Sequence, residues 1–462
     1  MKKLFSLLLA ALLLGVLPAA AQEAETPYLV LLEDAPLSLL SEDLTPVAPE
    51  SGVYLVSSAA EAQALVEKGL ASVCAPDCTV ELLDVLTVPS PDDSAKSWHW
   101  QAIGADYPAA AGLTGKGVRI GVVDSGVYLA HPDLVEANIE NGWNYADKNS
   151  DVSDTVGHGT FISGLLVAQP DNASGICGLC PGATVVPLKA FTAHTGFLAD
   201  ALCAVEAAWS EYHCDIIHMS FGILYAEMSE EHRQLMEVTI ATASEHALLV
   251  AAAGNGNGTD AYYPAACENV LSVAAVAKDL TRWSNGVSGS QYNETVDLAA
   301  PGGSLTSLST TGGLKTGSGT SYAAPLVSGA AALLLEREPD LAPAVVTRRL
   351  LDTAVDLGAP GRDDQFGAGL VSLPRLLMTQ ASATPAADGS YFVQLPQGGS
   401  VITARYTQSG QLVEAAVEAL PPYAFGYYTP ALGTFLLDSL YRPLCEGNAP
   451  RALRMISSES QR

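Results

Sequence analysis

The alternation of short apolar runs with helical stretches between about residues 115 and 370 limits the fold of this chain more than any other feature. Val118-Arg119-Ile120-Gly121-Val122-Val123 reads as a strand, as do Val185 to Phe191, Ile216 to Ser220, Leu248 to Ala253 and Val270 to Val276. Between them, Thr160 to Val167, Ala199 to Tyr212 and Glu230 to His246 carry helical patterns. Strands separated by helices pair in parallel, because a helical crossover returns the chain to the same end of the sheet. The pattern predicts an α/β fold with a doubly wound parallel sheet, in which ligands gather at the carboxyl ends of the strands.

The flanks read differently. Residues 1–21 begin with Lys2 and Lys3, continue through the apolar run Leu4 to Leu17 and end in Pro18-Ala19-Ala20-Ala21, the layout of a cleaved secretory signal too short to span a bilayer. Residues 22–96 form a small α+β unit, with strands at Tyr28 to Leu32, Val53 to Val56 and Val80 to Leu83 and a helix over Ala59 to Lys68. The turn-rich run Pro89 to Ser94 closes it, and the central domain is expected over residues 97–376. Ala381 to Asp388 reads as a Ser/Ala/Pro linker, followed by a small C-terminal β module over residues 384–462 whose role the sequence does not disclose.

The balance of 22 Lys+Arg against 50 Asp+Glu leaves a net charge of −28, which repels phosphates and argues against nucleic acid or an anionic membrane as partner. With the signal removed, an exported protein with no membrane attachment is expected. Export permits disulfides among the eight cysteines. The single C-x-x-C, Cys177 to Cys180, has no second pair at zinc spacing.

Four polar residues fall where chemistry is expected. Ser321 lies in Gly319-Thr320-Ser321-Tyr322-Ala323-Ala324-Pro325, directly before the apolar run Leu326 to Leu335. There its N–H is among the unpaired first-turn amides of a helix, where the dipole favours negative charge. Taken alone, the stretch is equally well a Gly/Ser turn opening a core helix. His158 sits between two glycines ahead of another helix, and Asp124 ends the first central strand. Together they would give a nucleophile, a general base and a carboxylate that holds the base in one tautomer. Asn255, in Ala253-Gly254-Asn255-Gly256, is either an Asn-Gly turn or a side-chain donor to a developing oxyanion.

The order Asp, His, Asn, Ser resembles the subtilisin-like serine peptidases, a family whose triad order is well defined. Asp124-Ser125-Gly126-Val127 with His131-Pro132-Asp133-Leu134, His158-Gly159-Thr160, Ala299-Ala300-Pro301-Gly302 and Gly319 to Pro325 are similar to the family's motifs and are collinear with them. The resemblance implies a subtilisin-like catalytic domain and a secreted serine endopeptidase made as a zymogen, with residues 22–96 as its inhibitory propeptide. Catalysis is assigned to Asp124, His158, Ser321 and Asn255, with no cofactor required for the reaction. Ser220, Phe221, Gly222, Ala253, Gly254 and Tyr262 would bind substrate, the first three as an edge strand that pairs with an extended peptide. Tyr262 stands where relatives often have a small residue, which implies a partly filled primary pocket and a preference for smaller side chains. Tyr322 and His218 replace a common methionine and a common asparagine. Structural calcium is implied at Asp133 and Asn172. The expected partners are polypeptide substrates and the chain's own propeptide, and the protein is expected to be a monomer. A narrow-specificity processing protease and a non-catalytic peptide-binding relative are the alternatives.

Overall fold

The computed structural model describes residues 26–32, 44–83, 85–86, 98–170, 175–385, 391–406, 412–428, 434–438 and 443–446. The signal-like residues 1–21 and Asn172 lie outside the described residues.

The N-terminal unit holds β1 (Tyr28–Leu32), β2 (Thr45–Ala48), β3 (Val53–Val56), α1 (Ala59–Glu67) and β4 (Ala71–Pro76). Its antiparallel sheet has the order β2-β3-β1-β4. Helix α1 starts at a reciprocal cap: Ser58 Oγ accepts the Glu61 N–H, and the Glu61 carboxylate accepts the Ser57 N–H at 3.0 Å. The next strands, β5 (Thr79–Leu82) and β6 (Val85–Leu86), do not join this sheet. The sequence pattern places Val80 to Leu83 in the N-terminal unit; in the structure Val80 and Leu82 share the apolar cluster of that unit, while the strand pairs with β10 and β12. Alternation of Val80 and Leu82 identifies a strand and one buried face, but it says nothing of which sheet edge the strand will complete.

The central domain runs from α2 (Trp98–Ile103) and α3 (Asp106–Ala110) through β7 (Arg119–Asp124), β8 (Trp143–Asn144), α4 (His158–Val167), β9 (Thr184–Lys189), β10 (Thr195–Phe197), α5 (Leu198–Ser210), β11 (Ile216–Met219), β12 (Phe221–Leu224), α6 (Glu230–Ser244), β13 (Leu248–Ala252), β14 (Tyr262–Tyr263), β15 (Val270–Val276) and β16 (Leu298–Pro301). Seven strands form one sheet, ordered β16-β15-β13-β11-β7-β9-β8, and each pairing is parallel. This is the doubly wound sheet expected from the alternation, and its inner strands are buried on both faces, as a helix-covered sheet requires, with His218 and Ser272 the polar exceptions in β11, β13 and β15. A hairpin of β17 (Leu305–Leu308) and β18 (Leu314–Ser318) then leads into α7 (Thr320–Arg337). Helix α7 is buried from Thr320 to Leu335, and it forms the centre of the largest apolar cluster.

The chain continues through α8 (Pro343–Asp352) and α9 (Leu373–Leu377) to β19 (Ser382–Pro385) and β20 (Tyr391–Leu395). The linker expected over Ala381 to Asp388 is therefore partly a strand, with Ser382 opposite Gln394. Strand β19 is at the edge of its sheet and Pro385 is its last residue, positions where a missing N–H breaks no ladder. Strands β21 (Gly399–Tyr406), β22 (Leu412–Leu420), β23 (Ala424–Tyr428), β24 (Thr434–Asp438) and β25 (Pro443–Glu446) complete two small antiparallel sheets. This module rests on α3, where the Tyr107 ring lies 5.2 Å from Phe425 and the Tyr107 hydroxyl bonds Gln394.

The N-terminal unit packs on α5 and α6. Leu29, Val47, Val53, Val73 and Ala75 share one apolar cluster with Leu202, Val205, Leu235 and Met236. Polar ties fix the register. The buried Glu206 carboxylate accepts the Glu50 and Ser51 N–H groups, each at 3.1 Å, and the Ser51 hydroxyl at 3.0 Å. Asp77 Oδ1 accepts the Ala199 N–H at 3.1 Å, in the first turn of α5.

Candidate active site

Asp124, the last residue of β7, is fully buried at the carboxyl end of the sheet. Its Oδ1 accepts the Ser125 N–H at 2.7 Å, and both its oxygens lie 2.8 Å from His158 Nδ1. His158 is the first residue of α4, so the sheet end and a helix start place carboxylate and imidazole side by side. Asp154, which the sequence reading missed, supports both. Its Oδ1 accepts the Ser125 hydroxyl at 2.9 Å and the Gly157 N–H at 2.7 Å, and its Oδ2 accepts the Thr160 N–H at 2.9 Å. An acidic residue a few positions before a helix start is a capping signal that would have singled it out.

Ser321 is the second residue of α7 and is fully buried. Gly319 precedes it at φ +148°, and its N–H is anchored on Gly302 O at 2.8 Å, which gives the Ala299 to Gly302 run its structural part. A side chain at Gly319 would bring its first carbon within 3.0 Å of Asn255 Nδ2, so glycine keeps that amide accessible. Asn255 follows β13 with its amide held in one orientation. Oδ1 accepts from Thr320 N–H at 2.9 Å and from Thr320 Oγ1 at 3.1 Å, so Nδ2 is the end left to donate.

That donor points at the chain itself. Asn255 Nδ2 bonds Leu83 O at 2.7 Å, and Ser321 Oγ contacts the same carbonyl oxygen. The segment before Leu83 runs as the middle strand between β10 and β12, with Glu81 opposite both Thr195 and Gly222. Leu83 N–H donates to Ser220 O at 3.0 Å, and Leu82 N–H to His194 O at 2.9 Å. Beyond Leu83, β6 pairs with β18, Val85 opposite Ser318 and Leu86 opposite Gly317. The expected substrate strand of Ser220, Phe221 and Gly222 thus carries an extended segment of this same chain. No sequence motif marks that segment as a ligand.

The Leu83 side chain is buried. A methyl on Gly222 would lie 3.2 Å from Leu83 Cδ1 and 3.4 Å from Tyr262 Cδ1, so the two side chains share the space over that glycine. Tyr262 is half-buried and also lies over Gly254, whose N–H donates to Thr320 Oγ1 at 3.1 Å. The neighbouring Ala253 is buried and bonds Val273 O at 3.0 Å. Tyr322 packs against Phe161, ring centroids 4.1 Å apart and planes tilted by 33°, and lies 5.9 Å from the His158 ring. Asp133 is buried 3.0 Å from the Ile176 N–H, and among the described residues no three His, Cys, Asp or Glu side chains gather as a metal site.

Asp124 at the end of the parallel sheet, His158 and Ser321 at the starts of two helices, and a peptide carbonyl held between serine and amide are an arrangement that suits a serine endopeptidase. The sequence model of the subtilase family matches residues 115–369, and the chain belongs to that family. Minor extracellular protease Epr of Bacillus subtilis is 34% identical over 282 residues, 60% of this chain and 41% of that protein, so the match spans less than half of Epr. A thermostable alkaline protease of Halalkalibacterium halodurans is 30% identical over 372 residues, 79% of this chain and 96% of that protein. Subtilisin BL of Lederbergia lenta is 32% identical over 282 residues, 60% of this chain and 98% of that protein. Among solved structures, fervidolysin from Fervidobacterium pennivorans, a keratinolytic enzyme related to subtilisin, shares the fold. It superposes with a TM-score of 0.64 at 22% identity, covering 88% of this chain and 69% of that one.

Proposed function

We propose that this chain is a secreted serine endopeptidase made as a self-inhibited precursor that cuts its own Leu83–Asp84 bond. The observation that carries the reading is the Leu83 carbonyl, bonded by Asn255 Nδ2 and in contact with Ser321 Oγ. Ser321 Oγ attacks that carbon while His158 takes its proton and later delivers it to the leaving amine. Asp124 holds the imidazole through Nδ1 and stabilises its charged form. Negative charge on the carbonyl oxygen is met by Asn255 Nδ2 and by the Ser321 N–H, a first-turn amide with no intrahelical acceptor. Water then releases the acyl group by the same steps in reverse.

Substrates are extended polypeptides that add a strand between β10 and β12, recognised by backbone pairing with side-chain pockets at alternate positions. The seat of Leu83 favours a medium aliphatic residue before the cut, in keeping with a pocket narrowed by Tyr262. After cleavage, residues up to Leu83 remain docked through Glu206, Asp77 and the shared apolar cluster, which makes the chain's own propeptide its first inhibitor. Its boundary then falls at Leu83, ahead of the turn-rich stretch near residue 96. Export rests on residues 1–21, and the description of Epr as extracellular supports it. A monomer with no nucleic-acid or membrane partner and no cofactor for catalysis completes the reading. A structural calcium ion at Asp133 and Asn172 would use a buried carboxylate beside a turn, donor chemistry that suits a hard cation.

The test is labelling by an organophosphonate probe. The matured wild type should be labelled and Ser321→Ala should not, while failure to label correctly folded wild type would end the proposal.

A further inference from the structure

The carbonyl of the proposed nucleophile has lost its helical partner. In α7 the Ser321 C=O should accept from the N–H four residues on, but that residue is Pro325, which has none. A buried carbonyl without a donor is costly. Ser220 Oγ fills the gap, donating to Ser321 O at 3.0 Å. Ser220 also accepts the Leu83 N–H through its own carbonyl, so one residue touches both nucleophile and bound peptide.

Ser220 Oγ has one proton, and it is committed to Ser321 O. Its other neighbour, His218 Nε2 at 2.8 Å, must therefore be the donor in that pair. The neutral His218 ring then accepts at Nδ1 from Ser328 Oγ, 3.0 Å away. Ser321 and Ser328 stand seven residues apart, two turns along one face of α7. His218, on β11, thus reaches that face at two points, directly through Ser328 and through Ser220 to Ser321. It is fully buried, and burial beside His158 pushes its imidazole down to about 3, so one neutral tautomer persists throughout the working pH range.

We propose that His218 is a positioning residue for the nucleophile: the directed chain Ser328, His218, Ser220, Ser321 locks the first turn of α7 against the strand that binds the peptide. It touches no reacting atom. The inference rests on Ser321 being the nucleophile, and it deepens that reading by assigning a part to a residue that otherwise looks like core filling. Glutamine at 218 extends its amide to the Nε2 position and keeps the donor to Ser220. Asparagine reaches only the Nδ1 position and keeps the Ser328 arm.

The experiment measures kcat and KM of matured full-length variants on a peptide p-nitroanilide, with rates expressed per phosphonate-labelled site. His218→Phe and His218→Asn should each lose about 10-fold in kcat with KM within about twofold, and His218→Gln should recover most of that loss. Ser220→Ala, a small deletion that keeps the fold, should lose a similar factor. The His218→Phe/Ser220→Ala double variant should lose about 10-fold rather than 100-fold, since both break one chain. A residue that only filled space would instead lower thermal stability while leaving kcat per site intact. Wild-type kcat in Ser220→Ala and His218→Phe, or an active Asn variant beside an inactive Gln variant, would overturn the proposal. Absence of labelling in the wild type would instead strike the underlying assignment of Ser321.

Discussion

If Leu83 sits in the primary pocket as a substrate residue, truncating it should cost a calculable amount. Leucine to alanine removes three carbons from a buried side chain. At about 0.8 kcal/mol per carbon this is about 2.4 kcal/mol, or about 60-fold in kcat/KM. The assay compares Val-Glu-Leu-Leu and Val-Glu-Leu-Ala p-nitroanilides with matured enzyme. The same substitution within the chain, Leu83→Ala, should slow self-cleavage by no more than about threefold, because strand pairing on both sides and the docked N-terminal unit keep the segment in place at high effective concentration. A large effect in trans and a small one in cis is the expected signature. A ratio below about threefold for the two free peptides would refute the seat of Leu83 as a specificity pocket.

Three further outcomes follow from the geometry. Asn255→Asp keeps an acceptor for Thr320 but removes the donor to the Leu83 carbonyl, so kcat should fall by about 10²–10³ with little change in KM, the magnitude known for this donor in a subtilisin. Glu206→Ala leaves the Glu50 and Ser51 donors without their carboxylate and should weaken retention of the cleaved N-terminal unit by about 2–4 kcal/mol, read by gel filtration after processing. Burial at the same interface, reinforced by the Asp200 carboxylate and opposed by the Ala199 and Cys78 N–H groups and by His232, raises the Asp77 carboxyl from 3.8 to about 6. A raised carboxyl favours the protonated, docked state, so its contribution is full below about pH 4 and lost as pH rises through about 6. The N-terminal unit should leave faster at pH 7.5 than at pH 5, and Asp77→Asn should flatten that dependence.

The central sheet was legible because period and spacing are local properties: five strands and three helices fall within a few residues of where the apolar runs put them. The candidate site was legible because each residue stands at the end of an element. Strand β7 stops at Asp124, and α4 and α7 start at His158 and beside Ser321, so motif and topology carry the same information. What escaped the sequence depends on partners far along the chain. Strand β5 is an ordinary alternating run whose neighbours lie more than a hundred residues away, at Thr195 and Gly222. Strand β4 alternates small residues, Ala71, Val73 and Ala75, too weakly to stand out. The part of His218 depends on Pro325 withholding a donor from Ser321, a consequence that appears only once strand and helix are packed together.

The proposed role of the segment ending at Leu83 as this enzyme's first substrate can be read directly from the processed chain. Wild type and Ser321→Ala should be expressed as full chains and the N-termini of all products sequenced. A new N-terminus at Asp84 is expected in the wild type, and an uncut Leu83–Asp84 bond in Ser321→Ala. Cleavage at that bond in both proteins, or a wild-type product that begins elsewhere with Leu83–Asp84 intact, would contradict it.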